Sequence, residues 1–150
     1  MVQLNAAVLR SSVPIQGELL VKIAVLIARI LLGLIFTVFG LNGFFHFIPM
    51  QLPPGDAGTL FTIMFKYGWV TFISALQVIG GVLLLVGRYV GIGLTILGPI
   101  IVVILLYHIT MHPQDIGPGL LAAVLEVFLI YAYWPHFGPV CLIEIDKRSA

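Results

Sequence analysis

Residues 20–44 read LVKIAVLIARILLGLIFTVFGLNGF, and this stretch settles the fold class. About 20 apolar residues cross the hydrocarbon core as a helix, so it is long enough to span, yet it carries Arg29. A charged side chain in lipid costs roughly 2.5–3.5 kcal/mol on insertion scales unless it faces protein or water. Three more apolar stretches, at about 69–86, 90–109 and 120–134, each carry one strongly polar residue: Gln77, His108 and Glu126. Four spans of this kind predict an all-α integral membrane protein with a shared polar interior. The connections Gly87-Arg88 and His112-Pro113-Gln114-Asp115 are short, which predicts an antiparallel four-transmembrane-helix bundle.

Composition agrees. Of 150 residues, 61% are hydrophobic and 9% charged, where a soluble domain carries roughly a quarter charged residues. The formal charge of +1 comes with no basic run, so nucleic acid is not an expected partner; the lipid bilayer is. Cys141 is the lone cysteine, which excludes an intrachain disulfide and a CxxC redox pair. Residues 1–19 read as a polar N-terminal segment rather than a cleaved signal, and 138–150 as a polar tail.

Orientation follows from the basic residues near the span ends. Arg10, Lys22, Arg88, Lys147 and Arg148 fall on one side of an even-spanning chain and Lys66 on the other. Both termini are therefore expected on the cytoplasmic face of a bacterial inner membrane. Between the first two spans, Pro49, Pro53, Pro54 and Gly55 break the chain. Residues 57–67 then carry enough apolar side chains for a short interfacial or re-entrant helix on the outer face; a disordered connector is the alternative.

The inward faces are read from helical spacing. Arg29, Gly33, Phe36, Gly40 and Gly43 share a stripe in the first span. Ser74, Gln77, Gly81 and Arg88 share one in the second, Gly91, Gly98, Leu105, His108 and His112 in the third, and Gly119, Ala122, Glu126 and Tyr133 in the fourth. Counting the helical rise from each end brings Arg29 and Glu126 within reach of an ion pair, with Gln77 near the same level. Asn42, His46, His108 and His112 gather toward the outer surface, where a site would open.

Each polar residue has two readings. Arg29 and Glu126 suit anion binding or proton relay, and equally a structural ion pair that holds helix register. His46 and His108 suit a quinone carbonyl or a haem, and equally a hydrogen-bonded interfacial role, which is the preferred one over haem. His108 and His112 have the spacing of a zinc pair, but Pro113 ends the helix and no third ligand stands close in sequence. No metal site is expected. No Ser-His-Asp, Cys-His or paired-carboxylate set is visible, so catalytic residues are not assigned.

Three segments resemble one family. They are residues 28–49 (ARILLGLIFTVFGLNGFFHFIP), residues 77–88 (QVIGGVLLLVGR), and the Pro99 to His108 stretch followed by Glu126. In order and spacing they are similar to the DoxX family over about residues 24–136. The resemblance implies a four-helix inner-membrane protein like the DoxX/DoxD subunits linked to thiosulfate:quinone oxidoreduction, or like relatives in oxidative-stress and thiol-redox complexes. The family's usual Glu is replaced by Gln77, which removes a carboxylate from any proton-coupled mechanism carried over. The expected function is the membrane subunit of an oxidoreductase system, with a quinone or small-molecule pocket between Arg29, Asn42, His46, Gln77, His108 and Glu126. Its expected partner is a soluble or membrane oxidoreductase subunit. The alternatives are a non-catalytic scaffold for a soluble redox partner and a small-solute carrier. Four spans without a repeat are few for alternating access unless the chain forms a homo-oligomer.

Overall fold

A computed structural model describes the backbone of residues 2–49 and 51–141 and the side chains of 16–49 and 51–134. Five α-helices follow in order: α1 (Val2–Phe45), α2 (Asp56–Lys66), α3 (Trp69–Val86), α4 (Val90–Met111) and α5 (Ile116–Cys141), with a 3-10 turn at Pro113–Asp115 before α5. Four of them contain stretches long and apolar enough to cross a membrane: Gln16–Phe45, Trp69–Val86, Val90–Met111 and Pro113–Trp134. The second span matches its expected bounds. The first begins earlier than residue 20, because α1 runs unbroken from Val2 and takes in the segment read as a separate polar stretch. The expectations for Arg10, Cys141, Lys147 and Arg148, and for the tail, concern side chains or residues outside the described part.

The helices end where their chemistry dictates. Gly68 and Gly87 adopt the left-handed backbone (φ 77° and 74°) on either side of α3, a conformation that glycine takes without a Cβ penalty. In α2, Asp56 lies in the first turn and Lys66 in the last, the signs that complement the helix dipole.

Packing closes a ring: α1 on α3, α3 on α4, α4 on α5, and α5 back on α1, while α2 lies against α3 and α4. Leu32, Leu84, Leu94, Leu97 and Leu129 are fully buried at the centre. The contacts of the glycines give the register. A Cβ on Gly33 would meet Leu85 and the Gly81 carbonyl, one on Gly40 would lie 2.8 Å from the Ser74 carbonyl oxygen, and one on Gly43 would collide with Ser74. Numbers rise along α1 as they fall along α3. The same holds between α3 and α4, where Gly80 faces Leu97 and Gly93 faces Leu84, and between α4 and α5, where Gly98 faces Glu126 and Gly119 faces Ile104. Small residues on these seams let backbones approach, which is where helix association in lipid gains its van der Waals energy.

One face differs from the expectation. The most buried row of α4 is Val90, Gly93, Leu94, Leu97, Ile100 and Ile101, whereas the expected row of Gly91, Gly98, Leu105, His108 and His112 is half-buried, with Gly98 beside Glu126, Leu105 beside Gly119 and His108 on a cavity. This helix packs on α3 and α5 at once and is apolar nearly all round, so spacing alone cannot choose its inner face. A second difference concerns depth. Arg29 lies level with Gly87 at the α3–α4 turn, so the preceding part of α1 extends past that turn with Leu19, Leu20, Val21, Ile23, Leu26 and Ile27 all exposed.

Candidate functional site

At the end of the bundle opposite the Gly87 turn, the four long helices enclose a cavity of about 450 Å³, within the range usual for small-molecule sites. Phe36 and Phe39 enter it from α1, Gln77 from α3, Ile104 and His108 from α4, and Gly119 and Ala122 from α5, with Gln51 and Asp115 also lining it. The surface is mostly apolar, and its hydrogen-bonding groups stand on different elements.

His108 is held in a defined state. Its Nδ1 lies 2.8 Å from the carbonyl oxygen of Ile104. A carbonyl can only accept, so Nδ1 carries the proton and donates, and in the neutral ring Nε2 is left as an acceptor. The ring is also braced edge-on by Tyr107, with centroids 5.3 Å apart. The Tyr107 hydroxyl donates to the Ala57 carbonyl at 3.3 Å, which ties α4 to α2. Asp115 Oδ2 lies 3.0 Å from His112 Nε2, so these two residues form the rim through the 3-10 turn.

Of the six residues expected to share a pocket, only Gln77 and His108 line this one. Asn42 is buried and committed: its Oδ1 accepts from the Ile48 amide at 2.6 Å and its Nδ2 donates to the Ile48 carbonyl at 3.3 Å. That pair of bonds satisfies the backbone where the chain leaves α1, a structural use of the side chain. His46 follows the last turn with φ 51°, is exposed, and packs its ring edge-on against Phe65 of α2 at 5.7 Å.

Arg29 and Glu126 do not pair, which corrects the expected ion pair. The register places Glu126 beside Gly98 and Arg29 beside Gly87. By helical rise they are about 12–15 Å apart along the bundle. The depth count fails because α1 overhangs the α3–α4 turn, so its apolar start is not the membrane boundary of the other helices. The Arg29 guanidinium instead lies against Gly87, where a Cβ would fall 2.6 Å from its Cζ. There it faces the C-terminal end of α3, whose unpaired carbonyls carry the negative pole of the helix dipole. Glu126 is 4% exposed, and among the described residues neither of its oxygens has a hydrogen-bond partner. It sits one turn below Ala122, under the cavity floor.

Gln51, Asp115 and Phe39 are cavity residues that the sequence does not announce. Phe36 does lie on the inward stripe of α1, but an aromatic on such a stripe reads as core. Gln51 and Asp115 sit in connectors, where no periodicity marks a facing. Among known protein families, curated proteins and solved structures, none matches this chain.

Proposed function

We propose that this chain is a DoxX-like inner-membrane protein, the membrane subunit of an oxidoreductase system, whose cavity holds a quinol or quinone head group. The observation that carries this reading is the placement of Gln77 and His108 on α3 and α4 around one mostly apolar and aromatic cavity, with Gln51 and Asp115 also on its lining. A benzoquinol ring is flat, apolar on its faces and polar at opposite ends, and the lining offers matching chemistry. His108 Nε2 accepts from one quinol hydroxyl, a role set by the Nδ1–H···O bond to Ile104. The Gln77 amide, both donor and acceptor, serves the other oxygen in either redox state. Phe36 and Phe39 pack against the ring faces.

In this reading the bundle is antiparallel, supported by partner numbers that fall along each neighbouring helix as they rise on the first. Both termini are cytoplasmic, supported by Arg88 at the α3–α4 turn. The cavity then opens toward the outer face, where α2 lies as an interfacial helix with Leu60, Phe61 and Met64 toward the bundle. A scaffold for a soluble redox partner is the second reading. It is favoured by Asn42, whose amide is committed to Ile48, and by Arg29, which lies against Gly87 and not on the cavity.

The test is purification from native membranes in mild detergent, followed by lipid extraction and mass spectrometry. Stoichiometric quinone or quinol is expected, and its loss on combining Gln77→Ala with His108→Ala in a protein that still elutes as a single folded species. A clean apo-protein bound only to a soluble oxidoreductase would overturn the pocket and leave the scaffold.

A further inference from the structure

A second cavity, of about 380 Å³, lies beneath α2. Leu60, Phe61 and Met64 roof it, and Ile73, Pro99 and Val103 form its floor and walls. The surface facing it is apolar although Tyr107 and His108 contribute to the lining, in contrast to the polar groups of the first cavity. The two are neighbours in a specific way. Ile104 and His108, one turn apart on α4, line both. On α3, Ile73 lines the second cavity and Gln77, one turn on, lines the first. The partition between the chambers is therefore one turn of α3 facing one turn of α4; Gln77 stands at the first chamber, and His108 borders both.

The roof is a separate element. Among the described helices α2 packs on α3 and α4, and the Tyr107 hydroxyl anchors it at Ala57. The wall contains Pro99, which withholds one hydrogen bond from the α4 ladder and places its ring at the chamber. An apolar chamber beside one that carries hydrogen-bonding groups, separated by side chains alone, has the division of an amphiphile.

We infer that the chamber beneath α2 takes the hydrocarbon tail of the ligand whose head group lies between Gln77 and His108. This rests on the reading of the first cavity as a quinol site. The tail is then a determinant of affinity, and α2 is the element that selects for it. Lipid or micelle already surrounds a free tail with hydrocarbon, so the chamber adds the van der Waals contacts of each methylene it packs.

The test uses the full chain in detergent and two probes, a benzoquinol with a ten-carbon tail and its tail-less parent. Two variants fill the chamber from opposite sides, Met64→Trp from the roof and Val103→Trp from the wall. Neither residue lines the head-group cavity. Each variant is expected to weaken the tailed probe about threefold or more, through the packing contacts that the displaced methylenes lose, and to leave the tail-less probe unchanged. Comparing variant with parent protein cancels the probe's partition into micelles. A tailed probe carrying a terminal diazirine is expected to label residues 60–64. If both variants bind the tailed probe normally, or if the label falls on the open apolar groove of Ala123, Val127 and Tyr131, the tail chamber is refuted and the head-group site stands. If neither probe binds the parent protein, the head-group reading fails and this inference fails with it.

Discussion

The two ends of this bundle use polar residues in opposite ways. At the Gly87 end, Arg29 lies over a left-handed glycine and the C-terminus of α3, where the negative pole of the helix dipole faces its charge, while its Nε has no hydrogen-bond partner among the described residues. At the other end, Gln77 and His108 face open volume, with His108 braced by Ile104 and Tyr107 but its Nε2 left over. Glu126 lies between them, buried and with no hydrogen-bond partner among the described residues. A polar residue in an apolar helix thus marks a place where something must answer it, and only its neighbours decide whether that is a helix end or a ligand.

The contrast can be broken by mutation. The largest effect is expected at the α1–α3 seam, which holds Phe36 and Phe39 over Gln77. Gly40→Leu would drive a side chain into the Ser74 carbonyl and Val78 and destabilise the protein by about 3 kcal/mol, the upper part of the overpacking range, measured as a loss of thermal stability in detergent. Glu126→Leu is expected to act in the other direction. Removing a buried carboxyl without partners should stabilise by about 1–3 kcal/mol; a loss of stability would mean that Glu126 is answered by a group in the native membrane.

Two further variants compare the ends directly. His108→Ala should weaken binding of the tail-less benzoquinol about tenfold, or 1.4 kcal/mol, with little change in melting temperature. Arg29→Met should do the reverse and by less. It costs about 0.3–1 kcal/mol of stability through the helix-end charge and leaves the ligand affinity unchanged. An Arg29→Met protein that folds normally but loses the ligand would move the site to the Gly87 end.

Much of the fold was legible because lipid imposes a strong rule: a span must be long, apolar and internally hydrogen-bonded. The second span could therefore be bounded to the residue at Trp69 and Val86, where glycines flank it. The inner stripes of α1 and α5 were legible for a related reason, since Gly33, Gly40, Ala122 and Glu126 are conspicuous among bulky apolar neighbours. The most buried face of α4 was not, because Leu, Ile and Val suit lipid and protein equally.

The site was legible only in part. Gln77 and His108 stood out as polar residues in apolar helices and do meet across one cavity. Arg29 stood out for the same reason and does not join them. Asn42 reads as a ligand from sequence because nothing local reveals that its amide closes onto Ile48, six residues along a non-helical exit. Gln51 and Asp115 reach the cavity from connectors, whose path follows from the helices they join.

What the sequence by itself determined is the set of apolar spans and the presence of polar groups that cannot face lipid, since both follow from the cost of transferring side chains into hydrocarbon. Only the tertiary structure decided which of those groups share a level. Relative depth depends on how far each helix slides along its neighbours, and that is set by where glycines allow backbones to touch and by how far α1 overhangs the α3–α4 turn.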